Sequence, residues 1–248
     1  MNNKYKMVAL DMDGTLLNDE LEISEANMQA LRDSLNKGIL ICLSTGRGMP
    51  SVKPYLEQIG ADIPLVTTNG SEVWERSDRL HSRSVLDAKH VMTLHDWAAR
   101  HHVWYWGTDP HRVYNRESWC ADPEQIEWLK FGVYTEDAEL LNRLRSMAEE
   151  MDCFEITNSH PANLEFNPKG INKATGLRQV CQLYGLNMDE VVAMGDSLND
   201  IAMIREAGLG VAMGNAQEEV KRIADVITLS NTEDGVAHLI RNFVLLEA

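Results

Sequence analysis

Short apolar runs alternate with stretches of helical spacing at both ends of this chain. The runs are Met7-Val-Ala-Leu10, Ile39-Leu-Ile-Cys-Leu43, Pro64-Leu-Val-Thr67, Val191-Val-Ala-Met194, Leu209-Gly-Val-Ala212 and Asp225-Val-Ile-Thr228. Runs this brief and this continuous predict strands of a parallel sheet covered on both faces. Between them, Ser24 opens a helical stretch that Gly38 stops, and Val52, Tyr55, Leu56 and Ile59 recur at helical spacing before Gly60. Ala174, Leu177, Cys181 and Tyr184 predict a third helix; Val236, Leu239, Ile240 and Phe243 predict a last one. Asn69-Gly70 signals a turn, after which residues 71–74 and 79–84 are expected to form a hairpin.

The middle of the chain follows another rhythm. Candidate strands at 103–106, 112–114, 129–134, 153–157 and 163–166 come in neighbouring groups, with a helix before them and another marked by Leu140, Leu144, Met147 and Met151. Grouped strands with intervening helices indicate an α+β unit on an antiparallel sheet. The expected fold class is therefore α/β: a doubly wound, mostly parallel sheet built from residues 1–83 and 168–248, with an inserted α+β cap of residues 84–167. Five of the six tryptophans fall in the insert, where a unit of that size needs large side chains to build its own core.

Composition narrows the function. The 248 residues are 44% hydrophobic and 25% charged, an ordinary globular balance. The formal net charge of −15 argues against nucleic acid or an anionic membrane as partner, but not against a small anionic substrate held by local charges. No apolar run approaches the ~20 residues of a membrane span. A strand is expected within a few residues of the N-terminus, and no signal peptide is therefore expected. The four cysteines (Cys42, Cys120, Cys153, Cys181) have no metal or redox spacing, so a reducing cytoplasm is the expected location. Nothing in the sequence indicates an oligomeric state.

Chemistry concentrates where apolar runs end. Met7-Val-Ala-Leu10 ends in Asp11-Met-Asp13-Gly14-Thr15. Two carboxylates two residues apart share a side of the chain and repel unless a cation or proton intervenes, which points to Mg²⁺ and phosphate chemistry. A calcium loop fails on spacing, because its glycine belongs at the sixth position and its glutamate at the twelfth. Three further signals lie at comparable places: Ser44-Thr45-Gly46-Arg47, Lys173 near a helix start, and Gly195-Asp196-Ser-Leu-Asn199-Asp200. Strand ends of a doubly wound sheet converge on one crevice, so all four signals would face one point. Carboxylates, a hydroxyl, N–H donors and a lysine gathered there are the equipment of phosphoryl transfer.

This ordered set resembles the haloacid dehalogenase superfamily of aspartate-nucleophile phosphatases. Asp11-Met-Asp13-Gly14-Thr15 is similar to its first motif, Thr45 to its second, Lys173 to its third and Gly195 to Asp200 to its fourth. The insert, with Thr68-Asn-Gly70 upstream of it and Val211-Ala-Met-Gly-Asn-Ala216 downstream, looks like the Cof-type subgroup with a type IIB cap. The resemblance implies that Asp11 is the nucleophile and Asp13 the general acid and base. It implies Mg²⁺ held by Asp11, the main-chain carbonyl of Asp13, and Asp196. It further implies phosphoryl binding by the Met12 and Gly46 N–H groups, Thr45, Lys173 and Asn199, with Asp200 orienting Lys173 or a metal-bound water. Arg47 is a candidate second substrate contact. The implied activity is Mg²⁺-dependent hydrolysis of a small phosphorylated metabolite, a sugar phosphate or similar. A phosphoryl transferase or sugar phosphomutase on the same scaffold, and a non-turnover phospho-receiver module, are the alternatives.

Overall fold

The structure is a computed structural model and describes residues 4–245. One sheet has eight strands: β1 (Met7–Leu10), β2 (Leu40–Ser44), β3 (Leu65–Thr67), β4 (Glu72–Arg76), β5 (Arg79–Arg83), β11 (Val191–Gly195), β12 (Leu209–Ala212) and β13 (Val226–Ile227). A second sheet has five: β6 (Trp104–Thr108), β7 (Val113–Asn115), β8 (Lys130–Tyr134), β9 (Phe154–Thr157) and β10 (Asn163–Pro168). The helices are α1 (Glu25–Asn36), α2 (Met49–Ile59), α3 (Ala88–Arg100), α4 (Ala138–Met151), α5 (Lys173–Tyr184), α6 (Ile201–Glu206), α7 (Glu218–Ile223) and α8 (Gly235–Leu239).

The larger sheet runs β13-β12-β11-β1-β2-β3-β4-β5, parallel from β13 to β3 and closed by the antiparallel hairpin β4–β5. Strand β1 is apolar throughout because both its faces are covered. Val8 and Leu10 enter one buried cluster with α1 and α2, whereas Met7 and Ala9 enter another with α5. The same parity holds in β11, where Val192 and Met194 oppose Val191 and Ala193. Strand order reverses at β1: β2 and β3 build outward on one side, β11 to β13 on the other. Ligand sites of such sheets lie beyond the carboxyl ends of the strands at that switch point.

The smaller sheet, β7-β6-β8-β10-β9, is antiparallel. Tyr105, Phe131, Val133, Leu164 and Phe166 pack with Val91, Leu94 and Trp97 of α3 and Leu141 and Leu144 of α4. Side chains alternate faces along a strand, so the intervening positions look the other way, towards the larger sheet. There Lys130 donates to the Gly46 carbonyl (2.9 Å) and Asn167 to that of Thr68 (2.8 Å). The insert thus rests its polar face on the end of the larger sheet where β1 and β2 finish.

Three local expectations shift. The chain continues from α8 into a π-turn over Ile240–Val244, which rotates Phe243 off the apolar stripe and leaves it exposed. Strand β13 has two residues, and Ile227 is exposed at the sheet edge. The eight histidines have no paired metal spacing in the sequence and are expected to face solvent, but His95 stacks on Trp119 (4.7 Å between centroids). No described helix is long and apolar enough to cross a membrane, and all four cysteines are free.

Candidate active site

The backbone N–H of Asp11 donates to the Met194 carbonyl (3.0 Å), extending the β1–β11 ladder one residue past the strand and fixing the carboxylate at the switch point. Lys173 is the first residue of α5, whose start is set by Asn172: its side chain accepts from the Thr175 N–H, and the Thr175 hydroxyl accepts from the Asn172 N–H, each at 3.0 Å. The Lys173 ammonium, fully buried, donates to Asp11 Oδ1 at 2.6 Å and Asp200 Oδ1 at 2.7 Å. Asp200 is saturated, since its Oδ2 takes the N–H groups of Asp196 and Ser197 at 3.0 Å each. Burial alone would lower the Lys173 ammonium, but the Asp11 and Asp200 charges hold it above its ordinary value.

Three carboxylates, Asp11, Asp196 and Asp200, bring oxygens within 4.8 Å of one another around that one ammonium. Asp196 is steadied by the hydroxyls of Ser197 (2.9 Å) and Thr15 (3.4 Å). Burial, then the Asp200 charge, push Asp196 up to about 7; burial also drives Asp11 upward, with Asp200 and Asp196 adding to it and Lys173 opposing. An excess of buried negative charge offered by oxygens alone fits a hard divalent cation such as Mg²⁺. Asp11 Oδ2 and the Asp196 carboxylate are the oxygens not committed to Lys173, and Asp200 is already spent on Lys173 and two N–H groups. Gly14, at φ +74°, is required here: a Cβ would stand 2.7 Å from Asp196 Oδ2.

The two leading aspartates line the same cavity but take different partners. A single cation between Asp11 and Asp13 would relieve their repulsion, but each has its own cationic partner. The half-exposed Asp13 carboxylate lies outside the three-carboxylate group and forms a two-pronged ion pair with Arg47, at 2.7 Å from Nε and 2.5 Å from Nη2. The Thr45 hydroxyl accepts from the Arg47 N–H (3.1 Å) and so shapes the turn that aims the guanidinium. Met12 turns its side chain into the core, and its carbonyl accepts from Thr15 and Leu17. Asn199 donates to Asn69 Oδ1 (3.2 Å), while its own buried Oδ1 has no partner among the described residues.

A cavity of about 240 Å³ opens beside these groups. The larger sheet lines it with Asp11, Asp13, Gly46, Arg47, Ser197 and Asn199; the insert adds Lys130, Ser159 and Glu165. The insert residues, and Asn69, were missed from sequence. Lys130 and Glu165 form a buried ion pair (3.0 Å), and Glu165 also accepts from Asn69 (2.6 Å) and Ser159 (3.2 Å). Their only signal was a charged residue set between apolar neighbours, in Leu129-Lys-Phe131 and Leu164-Glu-Phe166, which an ordinary solvent-facing strand position also gives. Gly46 admits this roof, since a Cβ there would lie 3.0 Å from Asn69 Oδ1 and 3.3 Å from Lys130 Nζ. The aromatic residues of the insert do not line the cavity. Trp97, Tyr105, Trp128 and Phe131 form the insert's core, and Trp104 and Tyr134 are exposed.

Switch-point carboxylates, a buried lysine and a roofed cavity meet at one end of the larger sheet. The family described as haloacid dehalogenase-like hydrolase matches residues 8–122 and 108–240, and the chain belongs to it, as a Cof-type phosphatase. Among curated relatives, the chain is 46% identical over 243 residues to the 5-amino-6-(5-phospho-D-ribitylamino)uracil phosphatase YcsE of Bacillus subtilis (strain 168), covering 97% of this chain and 96% of that one. Among solved structures, a haloacid dehalogenase-like hydrolase from B. subtilis superposes with a TM-score of 0.88 at 26% identity, over 97% of this chain and 100% of that one. The fold is also that of the subclass IIB sugar phosphatase BT4131, with a TM-score of 0.81 at 24% identity over 97% and 100% of the two chains.

Proposed function

We propose that the protein is a Mg²⁺-dependent phosphomonoesterase acting through a phosphoryl group carried on Asp11, with residues 84–167 as its cap. The observation that carries this is the buried Lys173, which holds Asp11 Oδ1 and leaves Oδ2 uncommitted on a residue that lines the cavity. Asp11 attacks phosphorus and the ester P–O bond breaks; Asp13 gives a proton to the departing alkoxide. Asp13 then takes a proton from the water that attacks phosphorus, and inorganic phosphate leaves Asp11 free. Asp13 must first be released by Arg47, and a dianionic phosphoryl group is the competitor that draws the guanidinium away. Lys173, Thr45, Asn199 and the N–H groups of Met12 and Gly46 hold the phosphoryl oxygens. Asp11, the Asp13 main-chain carbonyl and Asp196 would hold the cation, which would supply charge neutralisation at those oxygens. Asp200 positions Lys173.

The relative at 46% identity supports a narrower choice of substrate, 5-amino-6-(5-phospho-D-ribitylamino)uracil. A cavity roofed by Lys130, Ser159 and Glu165 matches that choice, because paired donors and acceptors suit the hydroxyls of a polyol leaving group. The test is phosphate release from a panel of phosphorylated metabolites that includes this compound. Activity is expected to require Mg²⁺, to vanish with EDTA, and to be lost in Asp11→Asn. Turnover surviving in Asp11→Asn would remove the covalent route; transfer of the group to a sugar hydroxyl would make the enzyme a transferase.

A further inference from the structure

Beyond the cavity roof, the same face of the five-stranded sheet carries a tryptophan that the insert's core does not use. Trp106 pairs in register with Gly132, and Gly132 with Glu165, so the three lie in one row across β6, β8 and β10. Directly opposed residues share a face of the sheet, and Glu165 lines the cavity. Trp106 therefore stands two strands from the cavity wall, about 10 Å between backbones. Its indole extends towards the cavity across the first of those strands by lying over Gly132: a Cβ on Gly132 would come within 2.2 Å of the ring. The ring is half-buried but pairs with no other aromatic group among the described residues, whereas Trp119 and Trp128 stack on each other and Trp97 lies tilted against His101.

We infer that Trp106, seated on Gly132, is the specificity-determining platform for a planar ring on the leaving group. The order along this face is the order of such an ester. Phosphate sits at Asp11, polyol hydroxyls meet Lys130 and Glu165, and the ring at the far end of the chain reaches the indole. Stacking on an aromatic side chain tolerates any flat heterocycle and needs no fixed hydrogen-bond partner. The inference rests on the proposed phosphatase reading and names what selects its substrate.

The experiment compares kcat/KM for 5-amino-6-(5-phospho-D-ribitylamino)uracil with that for ribitol 5-phosphate, which keeps the phosphate and polyol and lacks the ring. Wild-type enzyme is expected to favour the ring-bearing ester. Trp106→Ala is expected to reduce kcat/KM for that ester by about tenfold to a hundredfold and to affect ribitol 5-phosphate far less. Trp106→Phe retains most of the preference, and Gly132→Val, which evicts the indole from its seat, removes it. A wild-type preference that persists in Trp106→Ala and Gly132→Val overturns the inference and leaves the phosphatase reading standing. Equal wild-type rates on the two esters overturn the inference as well, because the ring then contributes nothing. Failure to release phosphate from any ester overturns both.

Discussion

Replacing Lys173 by methionine removes the one cation buried among three carboxylates while nearly keeping the side-chain volume. Asp11 and Asp200 then lose partners at 2.6 and 2.7 Å, and the Lys173 side chain is 0% exposed, so solvent does not compensate. Breaking a buried ion pair by deleting one partner costs about 3–5 kcal/mol, mostly the charge left unpaired. For a chain of this length each kcal/mol lowers Tm by roughly 2–4 °C, which gives a fall of about 6–20 °C. The assay is urea unfolding followed by circular dichroism in EDTA, for Lys173→Met, Asp200→Asn and the double variant. Because Asp200→Asn removes one of the stranded charges, the double variant should be more stable than the sum of the singles by about 1–3 kcal/mol. A loss below about 1 kcal/mol in Lys173→Met, or strict additivity, would refute the view that this ammonium neutralises the site.

Other residues give sharper readouts of single steps. Arg47→Ala is expected to lower kcat/KM by about tenfold to a hundredfold, the loss of charge-assisted hydrogen bonds to the phosphoryl group, chiefly through KM. An unchanged KM would count against its move from Asp13 to substrate. Asp196, raised to about 7 by burial and Asp200, is protonated below that pH and competes there with a cation. Without divalent ion, the folded state binds this proton more tightly than the unfolded chain, so stability falls as pH rises from the ordinary carboxylate range to about 7. The thermal stabilisation given by Mg²⁺ should therefore grow on passing upward through about pH 7, and a pH-independent gain would contradict this assignment. Gly14→Ala forces a left-handed residue costing about 1–2 kcal/mol. It also drives a methyl into Asp196, so the Mg²⁺ concentration for half-maximal activity should rise; an unaltered requirement would separate Asp196 from the cation.

The sequence made legible whatever depends on neighbours along the chain. The continuous apolar character of Met7–Leu10 and Val191–Gly195 follows from burial on both faces, and the alternation of those residues between two clusters bears out a doubly wound sheet. Asp11, Lys173, Asp196 and Asp200 fall together because each sits at a strand end or helix start; Lys173 bonds Asp11 and Asp200, and Asp196 brings an oxygen within 4.8 Å of theirs. Partnerships across the fold were not legible. The Arg47–Asp13 pair spans 34 positions and the Lys130 contact with Gly46 spans 84, distances at which spacing carries no information. Lys130 and Glu165 occupy strand positions whose alternation looks the same whether the polar face meets water or another sheet. Phe243 fits a regular helix, and only the π-turn, a tertiary outcome, moves it off the stripe.

The central claim is that the phosphoryl group passes through the Asp11 carboxylate. Enzyme mixed with substrate and Mg²⁺, quenched in acid within a turnover, treated with borohydride and digested, reports this by mass spectrometry. Borohydride reduces an acyl phosphate to the alcohol, so the peptide holding Asp11 should contain homoserine at that position, and only when substrate was present. Homoserine at Asp13 or Asp196, or full burst activity with every aspartate intact, would contradict the account.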